Sequence, residues 1–317
     1  MDEFALIRRF FDRGAAGDAL LGIGDDCALL APPDALAVTT DMLVGGRHFF
    51  DEARPRVIGH KSLAVNLSDL AAMGAEPLAF TLALALPAAD AAWLTEFSAG
   101  LFELADRHRC ALIGGDTTRG PLNICITAFG HVPREQALRR DRARAGDDLW
   151  VSGELGAAAH AVAERQAGRV AADAAAARLD WPVPRIELGV ALRALAHAAI
   201  DVSDGLLGDV GHVLERSSAA AGEVLGAEID GPAVPVDAAL AALPEPMRLA
   251  LALAGGDDYE LAFTAPPASR ARIDAAAADL GIRISRIGRI DREPGLRVVD
   301  RDGRRLPVNA RSFDHFR

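Results

Sequence analysis

Six times along its length this chain sets aspartates beside glycine, serine, threonine or asparagine, at what reads as the end of a strand or along a helix. The clusters are Gly24-Asp25-Asp26, Thr39-Thr40-Asp41, Asn66-Leu67-Ser68-Asp69, Gly114-Gly115-Asp116-Thr117, Asp201-Val202-Ser203-Asp204-Gly205 and Gly255-Gly256-Asp257-Asp258. Adjacent carboxylates repel each other and are costly to bury without a cation or hydrogen bonds. Any fold this chain adopts must either solvate these segments in turns or gather several of them around a hard cation such as Mg²⁺. Each cluster alone also fits a plain turn or helix cap. Their joint occurrence points to chemistry.

Between the clusters, strands and helices mix. Strands are expected at 36–44, 78–86, 111–113 and 122–132, with helices at 55–74 and 89–108. The apolar run 78–86 suits a buried strand, and GGDT at 114–117 reads as a loop. Arg-rich 134–146 reads as a connector. Beyond it strands are expected at 148–152, 199–202, 224–230, 259–264 and 282–290, and helices at 155–166, 186–198, 205–217, 246–254 and after Pro267. This grammar predicts an α/β (α+β) chain of two domains, 1–138 and 139–317.

Asn66 and Asp69 share one face of a helix that is otherwise apolar, so solvation explains that carboxylate poorly. Gly114-Gly115, and Gly153 with Gly156, are placed to offer backbone N–H groups to a phosphate, or simply to turn. Arg47, Arg119 and Arg140 lie near these loops and are candidate phosphate partners. His48 reads either as a structural histidine or, one short loop after the Asp41 strand, as a residue in reach of a substrate, and Phe102 reads by itself as a core aromatic.

Composition removes several alternatives. A formal charge of −11 opposes a nucleic-acid or anionic-membrane surface. Lys61 is the only lysine, and it follows a histidine, so neither a P-loop nor a protein-kinase strand lysine is available. Cys27, Cys110 and Cys125 form no pair and suit a reducing, cytoplasmic setting. No Gly-x-Ser-x-Gly elbow or HExxH motif is present.

Eight blocks, in order, resemble the thiamine-monophosphate kinases, in the superfamily that includes aminoimidazole ribonucleotide synthetase and selenophosphate synthetase. They are IGDDCALL (23–30), TTDMLVGGRHF (39–49), GHKSLAVNLSDLAAMGAEPLAF (59–80), GGDTTRGP (114–121), RRDRARAGDDLWVSGELGAA (139–158), DVSDGLLGDVGHV (201–213), GGDDYELAFT (255–264) and FDHF (313–316). The resemblance implies a homodimer in which the N-terminal domain builds a β-barrel with its partner, and a Mg²⁺- and ATP-dependent transfer onto thiamine monophosphate. K⁺ is a further candidate cofactor.

By the same resemblance Asp25, Thr39, Thr40, Asp41, Asp69, Asp116, Asp201 and Asp204 would hold Mg²⁺. Of these, Asp41, Asp69, Asp116 and Asp204 would serve catalysis. Phe102, Gly115, Asp116, Arg140 and Ser203 would contact ATP, and His48, Asp257 and Phe313 the thiamine phosphate. Phe102, Asp257 and Phe313 depart from the family's frequent residues, an aromatic with a hydroxyl, Glu and Trp respectively. The rival readings are a ring-closing relative of the same superfamily and a nucleotide-binding protein without turnover.

Overall fold

Two six-stranded sheets carry the described residues. The computed structural model describes residues 19–21, 28–30 and 35–307. Asp25, Cys27, Phe313 and the FDHF block lie outside the described residues.

The first sheet is built from β1 (Ala19–Leu21), β2 (Ala28–Leu30), β3 (Ala35–Val44), β4 (Glu76–Leu86), β5 (Ala111–Arg119) and β6 (Asn123–Val132). Its order is β1-β2-β3-β6-β4-β5, antiparallel except for the β4–β5 pair. Among the described residues it stays open, with β1 and β5 at its edges.

Two helices cover one face, α1 (Pro55–Ala72) and α2 (Ala91–Arg107). Of the 18 residues of α1, 15 are buried, because it is apolar on nearly every side and is packed on all of them. Pro55 starts it, and Gly74 at φ 63 stops it in the left-handed conformation that glycine adopts without strain. Truncating Leu63 or Leu70, both fully buried here, costs about 2–5 kcal/mol by the usual cavity argument.

Among the described residues nothing covers the other face of this sheet, which corrects one expectation. Strand β4 is buried on one face only: Phe80, Leu84 and Leu86 pack inward, whereas Ala83, on the alternate face, is exposed. An apolar run cannot by itself tell a strand covered twice from a strand covered once. The expected loop at 114–117 is likewise strand. β5 continues in parallel register along β4 to Arg119, and all nine of its residues are exposed.

The second sheet contains β7 (Asp148–Ser152), β8 (Ala198–Val202), β9 (Gly226–Asp230), β10 (Glu260–Ala265), β11 (Ile284–Asp291) and β12 (Gly295–Val299). Their order is β12-β9-β11-β7-β10-β8. Helices α3 (Ala157–Gln166), α4 (Asp173–Asp180), α5 (Ile186–Leu192), α6 (Leu206–Ala221), α7 (Glu245–Ala254) and α8 (Arg270–Leu280) complete this half. Helix α5 ends six residues short of its expected end. The short strands β1, β2 and β12, and helix α4, have no counterpart in the sequence reading.

One apolar core joins the two sheets: Leu63, Leu67 and Leu70 of α1 belong to the same buried cluster as Leu188 of α5 and Phe263 of β10. Helix α1 is therefore a shared wall. Among the described residues no helix is long and apolar enough to cross a membrane.

Candidate active site

The Asn66-Leu67-Ser68-Asp69 segment of α1 reaches three directions at once. Asn66 Oδ1 accepts the backbone N–H of Asp41 at 3.1 Å, while its Nδ2 donates to the Ser62 carbonyl at 3.1 Å. Ser68 Oγ donates to Asp201 Oδ2 at 2.8 Å, which ties α1 to β8 across the two halves. Asp69 accepts a short hydrogen bond from the Thr39 hydroxyl on β3. A polar run in an apolar helix is thus explained: each side chain holds a carboxylate-bearing strand, or is the carboxylate itself.

On the far side of the wall, Ser203 N and Asp204 N donate to Asp209 Oδ2 at 3.1 and 3.2 Å. Asp209 is buried in the first turn of α6, where a carboxylate suits the helix dipole. The Gly-Gly-Asp-Asp segment is strapped to the same loop, since Asp257 N donates to the Ser203 carbonyl and Tyr259 N to the Val202 carbonyl, both at 2.8 Å. Asp257 and Tyr259 take positive φ values of 68 and 51, an unfavourable conformation held by these bonds.

These segments enclose a cleft of about 1140 Å³ between the halves. Asp41, Asp69, Asp201 and Asp204 line it, with Thr40, Ser203, Arg47, His48 and Asp257. His48 Nδ1 accepts the Val44 N–H at 3.0 Å, so its ring proton is on Nε2. Asp41 lies on β3 in the alternating set that faces α1, together with Thr39 and Leu43.

Would this donor set suit Mg²⁺? Among the described residues no three His, Cys, Asp or Glu side chains form a ready-made metal site. Mg²⁺ rarely uses an all-protein cage; it takes one or two carboxylates and completes its shell with water and substrate phosphates. Four aspartates spread over one cleft, all hard oxygen donors, fit that habit.

Residues 24–132 match the family model described as AIR synthase related protein, N-terminal domain. The thiamine-monophosphate kinase of Escherichia coli strain K12 is 46% identical over 99% of this chain and 98% of its own length. This chain belongs to the thiamine-monophosphate kinase family.

The crystal structure of a family member from Stenotrophomonas maltophilia K279a superposes with a TM-score of 0.81 at 49% identity, covering 96% of this chain and 98% of that one. AaThiL, solved in complex with AMPPCP and TMP, superposes at 0.85 with 27% identity, covering 99% and 97%.

Not every residue that family resemblance singled out lies in the cleft. Asp116 sits opposite Ala83 on the exposed edge strand β5. Following the register from Asp41 to Ile126, Leu82 and Gly115, β5 lies three strands from Asp41, about 14 Å away at the usual strand spacing. By register Asp116 also faces the uncovered side of the sheet, whereas Asp41 faces α1. Within one chain the two carboxylates do not meet.

Phe102 is 41% exposed, not a core aromatic, and borders a separate apolar groove of about 340 Å³ with Leu82, Leu84, Leu94, Phe97 and Leu112. Gly115, at φ 146, abuts β4 so closely that a Cβ there would lie 1.8 Å from the Leu82 carbonyl oxygen. Arg140 stands in the connector, where its carbonyl accepts from Ser217 Oγ at 2.8 Å. Arg119 ends β5 on the exposed edge.

Gly153 and Gly156 turn out to face carboxylates. A Cβ on Gly153 would strike the Glu260 carboxylate, and Gly156 N donates to both Asp258 oxygens at 3.0 Å. Burial pushes the Asp258 carboxyl well above its usual range. An anion finds no free N–H at Gly156, which corrects the phosphate-cradle expectation there.

The sequence reading missed Lys61 and Tyr259. Both line the cleft and both meet Asp257. The available signal was rarity: each is the only residue of its type in the chain.

Proposed function

We propose that this protein is a thiamine-monophosphate kinase that transfers the γ-phosphoryl of ATP to the phosphate of thiamine monophosphate, giving thiamine diphosphate and ADP. The observation that carries this reading is the convergence of Asp41, Asp69, Asp201 and Asp204, from both halves of the chain, on one cleft that also holds His48 and Asp257. The AaThiL complex with AMPPCP, a methylene analogue of ATP, and TMP supports the same substrates.

Both reacting groups are anionic, so positioning and charge neutralisation are the main tasks. Asp41, Asp69, Asp201 and Asp204, with Thr39 and Thr40 beside them, would hold Mg²⁺, and Asp25 and Asp116 complete the proposed set. Mg²⁺ bound there supplies charge neutralisation at the phosphate oxygens. Thr39 and Ser68 keep Asp69 and Asp201 oriented by hydrogen bonds. The acceptor is already an ionised phosphate, so direct in-line transfer needs no general base. His48 and Asp257, with Phe313, contact the thiamine phosphate; Ser203, Gly115, Asp116 and Arg140 contact ATP, whose adenine lies against Phe102.

The three-strand separation of Asp41 from Asp116 supports a homodimer in which β5 and the uncovered sheet face of one copy complete the site of the other, closing the open sheets into a shared barrel. In that assembly residues 1–138 form the nucleotide, Mg²⁺ and dimerisation domain, and 139–317 complete the substrate site. Unpaired Cys110 and Cys125 support a cytoplasmic setting, and the net charge of −11 supports neither nucleic acid nor membrane as partner.

The test is an assay that reads thiamine diphosphate directly, with ATP, Mg²⁺ and thiamine monophosphate each omitted in turn, and with and without K⁺. Product that needs ATP, Mg²⁺ and thiamine monophosphate together is the expected result. No product from folded, ATP-binding protein overturns the reading in favour of another acceptor.

A further inference from the structure

The chain's only lysine and its only tyrosine end on the same atom. Lys61 Nζ donates to Asp257 Oδ1 at 2.6 Å, and the Tyr259 hydroxyl donates to the same oxygen at 3.2 Å. The Lys61 side chain is only 6% exposed, whereas that of Asp257 is 32% exposed. The cation therefore lies beneath the carboxylate, and the carboxylate faces the cleft. Lys61 also stands 6.0 Å from the centroid of the Tyr259 ring, so the three groups form one packed unit. With Oδ1 taken by two donors, Oδ2 has no protein donor among the described residues.

Position along α1 gives this unit its meaning. Val57, Lys61, Val65 and Asp69 recur every fourth residue and line the cleft as one stripe. Lys61 and Asp69 are eight residues apart, about 12 Å along the helix axis. The Asp69 end is built of carboxylates suited to a cation and phosphates. At the Lys61 end the ammonium charge is already consumed by Asp257, and the helix neighbours Val57 and Ile58 present apolar side chains to the cleft. A neutralised pair presenting a lone acceptor oxygen repels an anion and receives a hydrogen-bond donor.

Resting on the kinase reading above, we infer that Lys61 and Tyr259 are positioning residues: they fix Asp257 by Oδ1 so that Oδ2 accepts a hydrogen bond from the amino group of the substrate's heterocycle. They take no part in the phosphoryl step. Asp257 has a shorter reach than Glu, so its placement depends on these two donors and on its strained backbone. Burial pushes the Tyr259 hydroxyl well above its ordinary value, so it remains a donor at neutral pH.

The experiment compares wild type with Lys61→Met, Lys61→Gln and Tyr259→Phe by steady-state kinetics in both substrates, and by calorimetric titration with thiamine monophosphate alone. Lys61→Met should raise KM for thiamine monophosphate at least about tenfold, with kcat within about threefold and KM for ATP unchanged. Tyr259→Phe should raise the same KM about threefold, and Lys61→Gln, which keeps a donor, should fall between. The calorimetric affinity should weaken in the same order.

A fall in kcat at constant KM would place Lys61 at the transferring phosphate and overturn the inference. Unchanged kinetics with a lower Tm would make the contact structural and overturn it equally. If Lys61→Met does not fold, Tyr259→Phe decides by the same KM criterion. A wild-type protein that forms no thiamine diphosphate overturns the kinase reading and this inference together, whereas active wild type with unmoved variants overturns this inference alone.

Discussion

The cleft and the β5 edge carry the aspartates of this protein in opposite ways. In the cleft, Asp69 and Asp201 are held by hydroxyl groups from their own chain, and α1 links both sheets behind them. On β5, Asp116 is exposed in a strand that, among the described residues, pairs on one side only. A carboxylate buried without partners is expensive, so the cleft aspartates come with donors prearranged. An exposed carboxylate needs none. The difference teaches that a single chain organises one part of the acidic set internally and displays the rest outward.

The largest expected effect breaks the cleft. Asp41→Asn or Asp69→Asn should lower turnover by about 10³-fold or more while circular dichroism stays unchanged. Near-normal turnover in either variant would remove these residues from the site.

The next test addresses the edge. Asp116→Asn alone should cost about 10²-fold. Co-refolded in equal amounts with Asp41→Asn, it should recover about a quarter of wild-type activity, because half the dimers are mixed and each of those keeps one intact site of two. A mixture as inactive as its parts would show that the edge and the cleft of different copies do not combine.

A smaller effect comes from the wall itself. His60 on α1 donates Nε2–H to the Pro182 carbonyl at 2.8 Å, and burial lowers the affinity of its imidazole for a proton. Burial does the same to His108. Both groups are neutral when folded, and the unfolded chain takes up protons near about pH 6.5. Their contribution to stability is therefore present above that pH and lost as pH falls from it through the lowered folded values. Thermal unfolding should show Tm falling between about pH 7.5 and about pH 5.5, with a shallower slope in His60→Gln. An identical slope in that variant would exclude His60 as a source.

The smallest effect separates two thiols. Burial pushes Cys110 up to about 12, so iodoacetamide should leave it unmodified in the native protein at neutral pH. Cys125 is half-buried on the uncovered face, opposite Ala83 and Met42. Its thiol is also raised, by burial first and by the Asp41 charge second. It should react slowly, and several-fold more slowly still as protein concentration rises and a second copy covers that face. A rate independent of concentration would argue against the covered face.

Much of the fold was legible because its signals are local. The helix at 55–74 announces itself by apolar recurrence, an N-terminal proline and Gly74, and it forms as Pro55–Ala72. The expected strand at 111–113 is too short because glycine usually ends strands; here Gly115 is kept in one by its close approach to Leu82. Phe102 reads as core from its position in a helix, whereas the fold sets it at the rim of a groove shared by α2, β4 and β5.

The sequence by itself determined the chemistry available: aspartates at element ends, one lysine, one tyrosine, and an apolar helix interrupted by Asn66, Ser68 and Asp69. Residue type and spacing encode those directly, through periodicity, charge and backbone freedom. Tertiary structure decided which of these groups meet. It joined Asp201 to Ser68, gave Lys61 to Asp257 and turned Gly156 toward a carboxylate, and it left Asp116 three strands from Asp41. Such pairings depend on strand register and on how two sheets close over one helix, and residues 133 or 196 positions apart in the chain carry no local mark of their meeting.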